Sequence, residues 1–257
     1  MKLSALSQIL SLIFLFFSIS LFAQATTPIA NIYENFDVYI QRRVTVQGVV
    51  TIGADRLDDT RLLAYIQDES GRGIQIFDEN TNAIYQRDIV RGNLLRISGV
   101  VFMNSENTAI SIEFMNVIDT EQAIPVTKLS FEEIQDFHNW EGTHIKLSGR
   151  LRSHPVRRND GYDLTLWSKE LSNFVRVLDT TDIKTILDDE RLDVSNIALK
   201  SSIDLHGVIS VENNHSLILP GYQESFSDST LGAEIVRVIG LILLIILAAL
   251  ATEQRSL

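Results

Sequence analysis

Cysteine is absent from this chain of 257 residues, and that absence excludes several kinds of site. Without cysteine there are no disulfides, so the fold must rely on its core. The lipid-bearing cysteine of a bacterial lipoprotein is missing, so any membrane anchor has to be protein. A cysteine nucleophile is excluded as well.

Sequence motifs for catalysis and metal binding are also missing. Among the five histidines, His138 and His144 are close in sequence, but they lack the i, i+4 spacing of a zinc protease helix. No serine lies in a nucleophile elbow, and no glycine-rich phosphate loop precedes a helix. The acidic run at residues 188–190 is typical of a solvated helix end. We therefore predict a protein that is not an enzyme and that needs neither a metal nor a cofactor.

Both ends of the chain are apolar and indicate export followed by membrane anchoring. Residues 1–25 combine a basic start, an apolar run and a small-residue ending, as a secretory signal does. Residues 235–252 carry one charge, Arg237, and a helix of that length, rising about 1.5 Å per residue, spans a bilayer core. A buried helix is the alternative at each end, but neither segment has a polar face.

These two segments predict a single-pass protein of the cell (inner) membrane whose folded middle is periplasmic or extracellular. The prediction is the same whether or not the signal is cleaved. Residues 226–234 are then a linker and residues 253–257 a cytoplasmic tail. The net charge of the chain is −11, and an acidic protein repels phosphate backbones on average.

Three short segments recur in the same order in the two halves of the middle region. Residues 43–50 resemble 144–151, residues 74–78 resemble 175–179, and residues 95–101 resemble 203–209. The spacing is 101 residues for the first two pairs and 108 for the third. Near-constant spacing indicates a duplication, so we predict domains over residues 26–122 and 123–225, with Pro125 near their join.

Each copy has the period-two alternation of strands, with glycines such as Gly48 and Gly99 inside them. A glycine within a strand indicates a bulge or a sharp bend, which small closed barrels need. Three strands, a helical connection and two further strands is the order of an oligonucleotide/oligosaccharide-binding (OB) barrel.

Segments 44–50, 64–71, 73–78 and 92–101 resemble OB-fold domains of bacterial extracytoplasmic proteins. The resemblance covers residues 44–118 well and residues 143–220 loosely, because residues 168–173 replace a glycine-rich turn. It implies a mostly β fold of two tandem five-stranded barrels with a binding habit and no catalytic residue. Similar modules precede a membrane helix in bacterial sensor proteins.

Helical segments are predicted beside the strands of both copies. The connection between the third and fourth strands is a short helix within residues 80–90 of the first copy and a longer one within residues 182–200 of the second. A leader precedes each barrel, over residues 29–43 and 129–140. In the second leader Ser130 and Glu133 have the spacing of a capping box, which predicts a short helix.

The most basic part of the chain covers the end of the first strand and the following loop in the second copy. Its basic residues are Arg150, Arg152, His154, Arg157 and Arg158. In an OB barrel this loop borders the usual ligand face. Arg150 and Arg152 alternate with Leu151, so both point to one side. We predict a ligand surface here, with a solvated hairpin tip as the alternative.

Arg176, Trp167 and Phe174 extend that predicted surface, the two rings as stacking partners. The position of Trp167 has two interpretations. Strand alternation places it on the polar face with Asp163 and Thr165, whereas alignment with the first copy places it in the core.

In the first copy the matching loop, residues 51–59, is acidic, and the predicted ligand face holds Tyr65, Gln75 and Phe77. Since the two copies differ in charge where OB barrels bind, we expect them to bind different partners.

Three functions fit these features. The first is a membrane-anchored binding or sensing module for a peptide, glycan or protein ligand outside the cytoplasm. The second is nucleic-acid binding through the basic loop of the second barrel, which the net charge makes less favourable. The third is the input part of a membrane signalling receptor, or a scaffold within a membrane complex.

Overall fold

The computed structural model describes residues 25–54, 56–58, 60–79, 83–151, 156–158, 161–168, 171–178, 202–222 and 226–228. The predicted signal up to residue 24, the predicted helix at 182–200, and the predicted membrane helix and tail at 235–257 lie outside these ranges. Within the ranges, no helix has the length and apolar character needed to cross a bilayer.

The first half of the described chain is a closed five-stranded barrel. Its strands are β1 (Arg43–Ile52), β2 (Leu62–Gln67), β3 (Gly73–Asp78), β4 (Leu94–Asn104) and β5 (Asn107–Asp119). They follow the order β1-β2-β3-β5-β4, and β4 pairs with β1 to close the ring. The pairing of β3 with β5 is parallel and the other pairings are antiparallel.

The second half repeats this topology. Its barrel strands are β7 (His144–Leu151), β9 (Gly161–Ser168), β10 (Leu171–Leu178), β11 (Ser202–Glu212) and β12 (His215–Leu219). Pairing of β11 with β7 closes the ring β7-β9-β10-β12-β11, and β10 runs parallel to β12. Short strands add to it at β6 (Thr127–Lys128), β8 (Val156–Arg158) and β13 (Phe226–Asp228).

This shared strand order is that of the OB fold, as predicted. Each barrel has its own core because alternate side chains of its strands point inward. Val46, Ile66 and Ile97 are buried in the first core, and Leu147, Leu166 and Leu205 are buried in the second.

Equivalent glycines support the predicted duplication. Gly99 lies opposite Val44 of β1, and Gly207 lies opposite Ile145 of β7. A Cβ added at Gly99 would lie 2.0 Å from the carbonyl oxygen of Ser111, and only glycine permits so close an approach of β4 to β5.

The third strands match differently from the prediction. Ile76 pairs with Ile110 of β5, and Val175 pairs with Ile218 of β12. Since β5 and β12 are equivalent, Val175 corresponds to Ile76, whereas the sequence match set it against Ile74. The correct alignment is shifted by two residues, a shift that leaves every side chain on the same face of its strand.

Short helical segments accompany the barrels. The first leader forms α1 (Ile29–Glu34) and α2 (Phe36–Tyr39), and the predicted helix in the first copy is α3 (Ala83–Asp88). The second leader forms two 3-10 turns, Glu133–Gln135 and Phe137–Asn139, where we predicted one short helix. Asp136 interrupts it with a ψ of 61°.

The capping box itself is present. The Ser130 backbone N–H donates to the Glu133 carboxylate at 2.8 Å, and the Glu133 N–H donates to the Ser130 hydroxyl at 3.2 Å. The residues therefore start a helical turn as predicted, although the helix does not continue.

The two barrels are packed against each other along a seam that has its own apolar cluster. Ile52 and Tyr65 of the first barrel pack with Val208 and Leu219 of the second. Backbone groups approach closely as well, because a Cβ added at Gly73 would lie 2.1 Å from the carbonyl oxygen of Gly142. The barrels are therefore joined by a packed interface as well as by the chain.

Candidate ligand-binding surface

In the OB fold, ligands bind across the second and third strands, beside the 1–2 and 4–5 loops. In the first barrel this face is covered. Tyr65 on β2 and Gln75 on β3 are 1% and 3% exposed. The Tyr65 hydroxyl accepts a hydrogen bond from the Gln75 amide at 2.8 Å and lies against Ser210 of the second barrel. Burial raises the pKa of Tyr65 to about 12.

The third predicted residue of that face, Phe77, is 9% exposed and lies 5.9 Å from Phe102, measured between ring centroids. Tyr65 and Gln75 thus contact protein where a ligand was predicted. Their role as ligand-binding residues stays a prediction that would require the barrels to separate.

The tip of the β4–β5 hairpin, formed by the 4–5 loop and Asn107 at the start of β5, is also bonded to the second barrel. The Asn107 side-chain amide donates to the carbonyl of Val211 at 2.9 Å and accepts from the N–H of Val211 at 2.9 Å. The Ser210 hydroxyl donates to the same Asn107 oxygen at 3.1 Å. Asn107 therefore completes the backbone hydrogen bonding of β11 as a neighbouring strand would.

Two titratable groups of the second barrel are buried in the seam. Glu141 accepts a hydrogen bond from the N–H of Thr108, and burial raises the pKa of its carboxyl. His144 donates from Nδ1 to the carbonyl of Pro125 at 2.8 Å, and burial lowers its pKa to about 4. These groups bond to backbone and are not arranged as an acid–base pair. Among the described residues, no cluster of side chains has the makings of a metal site.

The equivalent face of the second barrel is open. Phe174 of β10 stands at the position of Gln75 and is 50% exposed, and Thr165 of β9, its cross-strand partner, stands at the position of Tyr65. Leu164 and Leu166 are buried, so Trp167 points outward with Thr165. The interpretation from strand alternation is therefore correct, and the placement of Trp167 in the core is wrong.

An ion-pair chain runs along one side of this face. Asp163 accepts from Arg176 Nε at 3.0 Å and from Arg158 Nη1 at 2.7 Å, and Arg176 also pairs with Glu212. Burial alone would raise the pKa of Asp163, but the two guanidinium groups lower it below its usual value. Two of the predicted cations are therefore already matched by carboxylates, and this face is less basic than the sequence suggested.

Arg150 lies on the other side of the face. It is exposed and pairs across the sheet with Trp167 of β9 and with Ser202 of β11. A cavity of about 390 Å³ opens here, lined by Ser148, Gly149, Arg150, Trp167, Ser168 and Ser202. Trp167 Nε1 is buried and has no hydrogen-bond acceptor among the described residues, and a buried donor without one costs about 1–3 kcal/mol.

Two further cations were predicted for this surface. Arg157 lies on β8, where its backbone pairs with Tyr162. Arg152 lies outside the described residues. The structure thus brings Arg150, Trp167, Phe174, Arg176 and Arg158 together on one barrel, and their role in binding a ligand stays a prediction. The carboxylate partners Asp163 and Glu212 were missed, since Glu212 is 36 residues from Arg176 in sequence.

A larger groove of about 600 Å³ lies between the first barrel, the first leader and the connection between the barrels. Two of its polar side chains are bonded within the chain. Asp68 accepts from the N–H of Ile29 at 2.7 Å, and Gln67 accepts from the N–H of His144 at 2.7 Å. These bonds hold the leader and the seam in place, so we locate the candidate ligand surface on the second barrel.

Comparison with known proteins identifies no family. No protein-family model matches the chain, and no curated protein matches it. Among solved structures, a complex of the Ifi202 HINa domain with 20-bp double-stranded DNA is similar at 13% identity and a TM-score of 0.35, over 70% of this chain and 92% of that one.

The tetrameric p202 HIN2 domain is similar at 12% identity and a TM-score of 0.34, over 72% of this chain and 92% of that one. The Escherichia coli hypothetical protein ygiW is similar at 15% identity and a TM-score of 0.27, over 37% of this chain and 92% of that one. Similarity this low does not establish a ligand. The fold follows from the strand order of the chain itself.

Proposed function

We propose that this chain is a non-enzymatic binding protein whose ligand lies on the open face of the second barrel. One observation carries the proposal: the same face is closed in one barrel and open in the other. The first barrel uses its β2–β3 face and its 4–5 loop to hold the second. The second barrel leaves the equivalent surface exposed, with Phe174 and Trp167 on it.

The side chains on this face suit a saccharide. Phe174 and Trp167 offer ring surfaces, and Thr165 and Ser172 lie beside them as their cross-strand partners. The ion pairs of Asp163 with Arg158 and Arg176 supply fixed hydrogen-bond donors and acceptors with little net charge. A sugar ring has an apolar face that can stack on an aromatic side chain. Its hydroxyl groups need both hydrogen-bond donors and acceptors.

The place of binding is part of the proposal. We infer from residues 1–25 and 235–252 that the barrels are exported and anchored in a membrane, so that the ligand surface lies outside the cytoplasm. A sensor role, in which the membrane helix passes binding to a signalling partner, extends the same proposal.

A second candidate is single-stranded nucleic acid, favoured by the exposed Arg150 beside Trp167. Arg152 follows two residues later in sequence, and Arg157 lies on β8. Bases would stack on the two rings, and phosphates would contact the arginines. Asp163 and Glu212 on the same face oppose this, because each carboxylate repels a phosphate.

Calorimetric titration of the full chain in detergent with a panel of oligosaccharides and with oligothymidylate tests both candidates. Phe174→Ala and Trp167→Ala should each weaken the binding of a saccharide about tenfold, which is about 1.4 kcal/mol. The matched control is Phe114→Ala, because Phe114 is 59% exposed on β5 of the first barrel. Binding that survives both second-barrel changes contradicts the proposal.

A further inference from the structure

The cavity beside Trp167 differs in charge from the rest of the open face. We propose that it is a subsite for a carboxylate, so that the ligand is an acidic saccharide with one sugar ring stacked on the aromatic face and its acid group on Arg150. The inference rests on the proposed function and names the ligand class more narrowly.

The cavity lies beside a row of residues on three neighbouring strands. Ser202, Arg150 and Trp167 form one row across three neighbouring strands, β11, β7 and β9, because Arg150 pairs with both of the others. Neighbours in such a row lie about 5 Å apart. The guanidinium and the indole of one row therefore reach a single small group, and the volume of about 390 Å³ has room for it.

The described lining of the cavity carries a positive charge. None of the described residues that line the cavity is acidic. Asp204 lies opposite Ser148 in the adjoining row, and its carboxylate already binds Lys146 Nζ at 2.7 Å and the Ser148 hydroxyl at 2.6 Å. Among the described residues no ion pair involves Arg150. Within the described part of the chain, the positive charge of Arg150 is therefore available to a ligand.

Two side chains of the cavity can donate hydrogen bonds to one carboxylate. A guanidinium binds a carboxylate through two parallel hydrogen bonds, and Trp167 Nε1 is a buried donor that lacks an acceptor among the residues that the structure describes. The described lining of the cavity therefore offers several donors and one full positive charge. That set fits one carboxylate better than a run of phosphates, since Asp163 and Glu212 lie farther along the same face.

Titration calorimetry of the full chain in detergent, with a galacturonate trimer and its methyl ester, tests the subsite. The two sugars have the same rings and differ in charge. The acid should bind about tenfold more tightly than the ester, and Arg150→Gln should reduce that ratio to about one. Trp167→Phe, which keeps a ring but removes the N–H, should reduce the ratio about threefold. Arg42→Gln, at an exposed arginine of the first barrel, is the matched control and should leave the ratio unchanged.

The outcomes separate the two proposals. If acid and ester bind equally to the native chain and Phe174→Ala weakens both, the subsite is wrong and the saccharide face stands. If neither of these sugars binds but a neutral oligosaccharide does, the subsite is wrong and the saccharide face stands. If no oligosaccharide binds, the proposed function fails and the subsite fails with it. If oligothymidylate binds more tightly than either sugar, with affinity falling steeply as salt rises, nucleic acid is the ligand and the carboxylate subsite is overturned.

Discussion

Asn107 shows how much of the contact between the barrels depends on a single side chain. Its amide makes two hydrogen bonds with the backbone of Val211 and accepts a third from Ser210. Residues 107, 210 and 211 are all buried. A buried backbone group that loses its partner costs about 1–3 kcal/mol.

Asn107→Ala should therefore lower the free energy of unfolding by about 3 kcal/mol, because two backbone groups lose their partner at once. Urea denaturation measures the change. Asn116→Ala is the control, since Asn116 is exposed on the same strand β5 and should change stability by less than about 0.5 kcal/mol. Equal effects of the two substitutions would show that the bonds of Asn107 contribute nothing special.

His144 gives a pH dependence at the same scale. Burial lowers its pKa to about 4, below the 6.5 of an exposed histidine. At pH values between these two, the unfolded chain binds a proton at His144 and the folded chain does not. The contribution of His144 to the free energy of unfolding is therefore complete above pH 6.5 and falls as the pH drops toward 4. The loss from this residue reaches about 3 kcal/mol.

Denaturation curves from pH 7.5 to 4 check this expectation. His144→Asn, which keeps a side-chain donor for the carbonyl of Pro125 but does not titrate, should flatten the dependence. It should not abolish it, because burial also lowers the pKa of His206. Glu141 acts in the opposite sense, since burial raises its pKa and favours the protonated form. An unchanged slope in the variant contradicts the role given to His144.

At the scale of single elements, the positions of the strands in the sequence were easier to predict than the register in which they pair. Alternation in residues 44–50 and 95–101 depends only on which side chains face the core, and it gave β1 and β4 with the correct glycines. The third strand was misaligned by two residues because a shift of two preserves the pattern of buried and exposed positions. Only its parallel pairing with β12 fixes the register.

Some features of the candidate face could be predicted from the sequence and others could not. Outward placement of Trp167, Phe174 and Arg176 follows from strand periodicity. The pairing of Arg176 with Glu212 and the burial of Tyr65 do not, because both depend on residues that meet only after the chain has folded. No local pattern distinguishes a strand face that binds a ligand from one that binds another barrel.

Gly99 allows a test of the bend in β4. Gly99→Ala places a methyl group 2.0 Å from the carbonyl oxygen of Ser111, so β4 and β5 must move apart. We expect the thermal unfolding midpoint to fall by several degrees or the chain to misfold. Gly71→Ala is the contrast, because no atom lies within 4 Å of its added Cβ although its φ of 81° adds strain. A smaller loss for Gly99→Ala than for Gly71→Ala contradicts this account.

At the scale of the whole molecule, the seam should make the two barrels unfold together. Both tryptophans, Trp140 and Trp167, belong to the second half, so their fluorescence reports that half alone. Circular dichroism in the far ultraviolet reports both barrels. Coincident thermal transitions by the two methods are expected for the native chain.

Loosening the seam should separate these transitions. Gly73→Ala directs a methyl group at the carbonyl oxygen of Gly142 in the other barrel. Combined with Asn107→Ala, it should leave two barrels that melt at different temperatures. Separate transitions in the native chain would mean that the barrels are stable independently and that the seam is weak.

A tandem repeat of binding domains is usually expected to bind its target at two sites and so to gain avidity. Here the β2–β3 face of the first barrel is covered by the second barrel, which contacts Tyr65 and Asn107. Each molecule is then monovalent, and a titration should reach saturation at one equivalent. High avidity for a polymeric target would require many such molecules close together, each contributing one binding site.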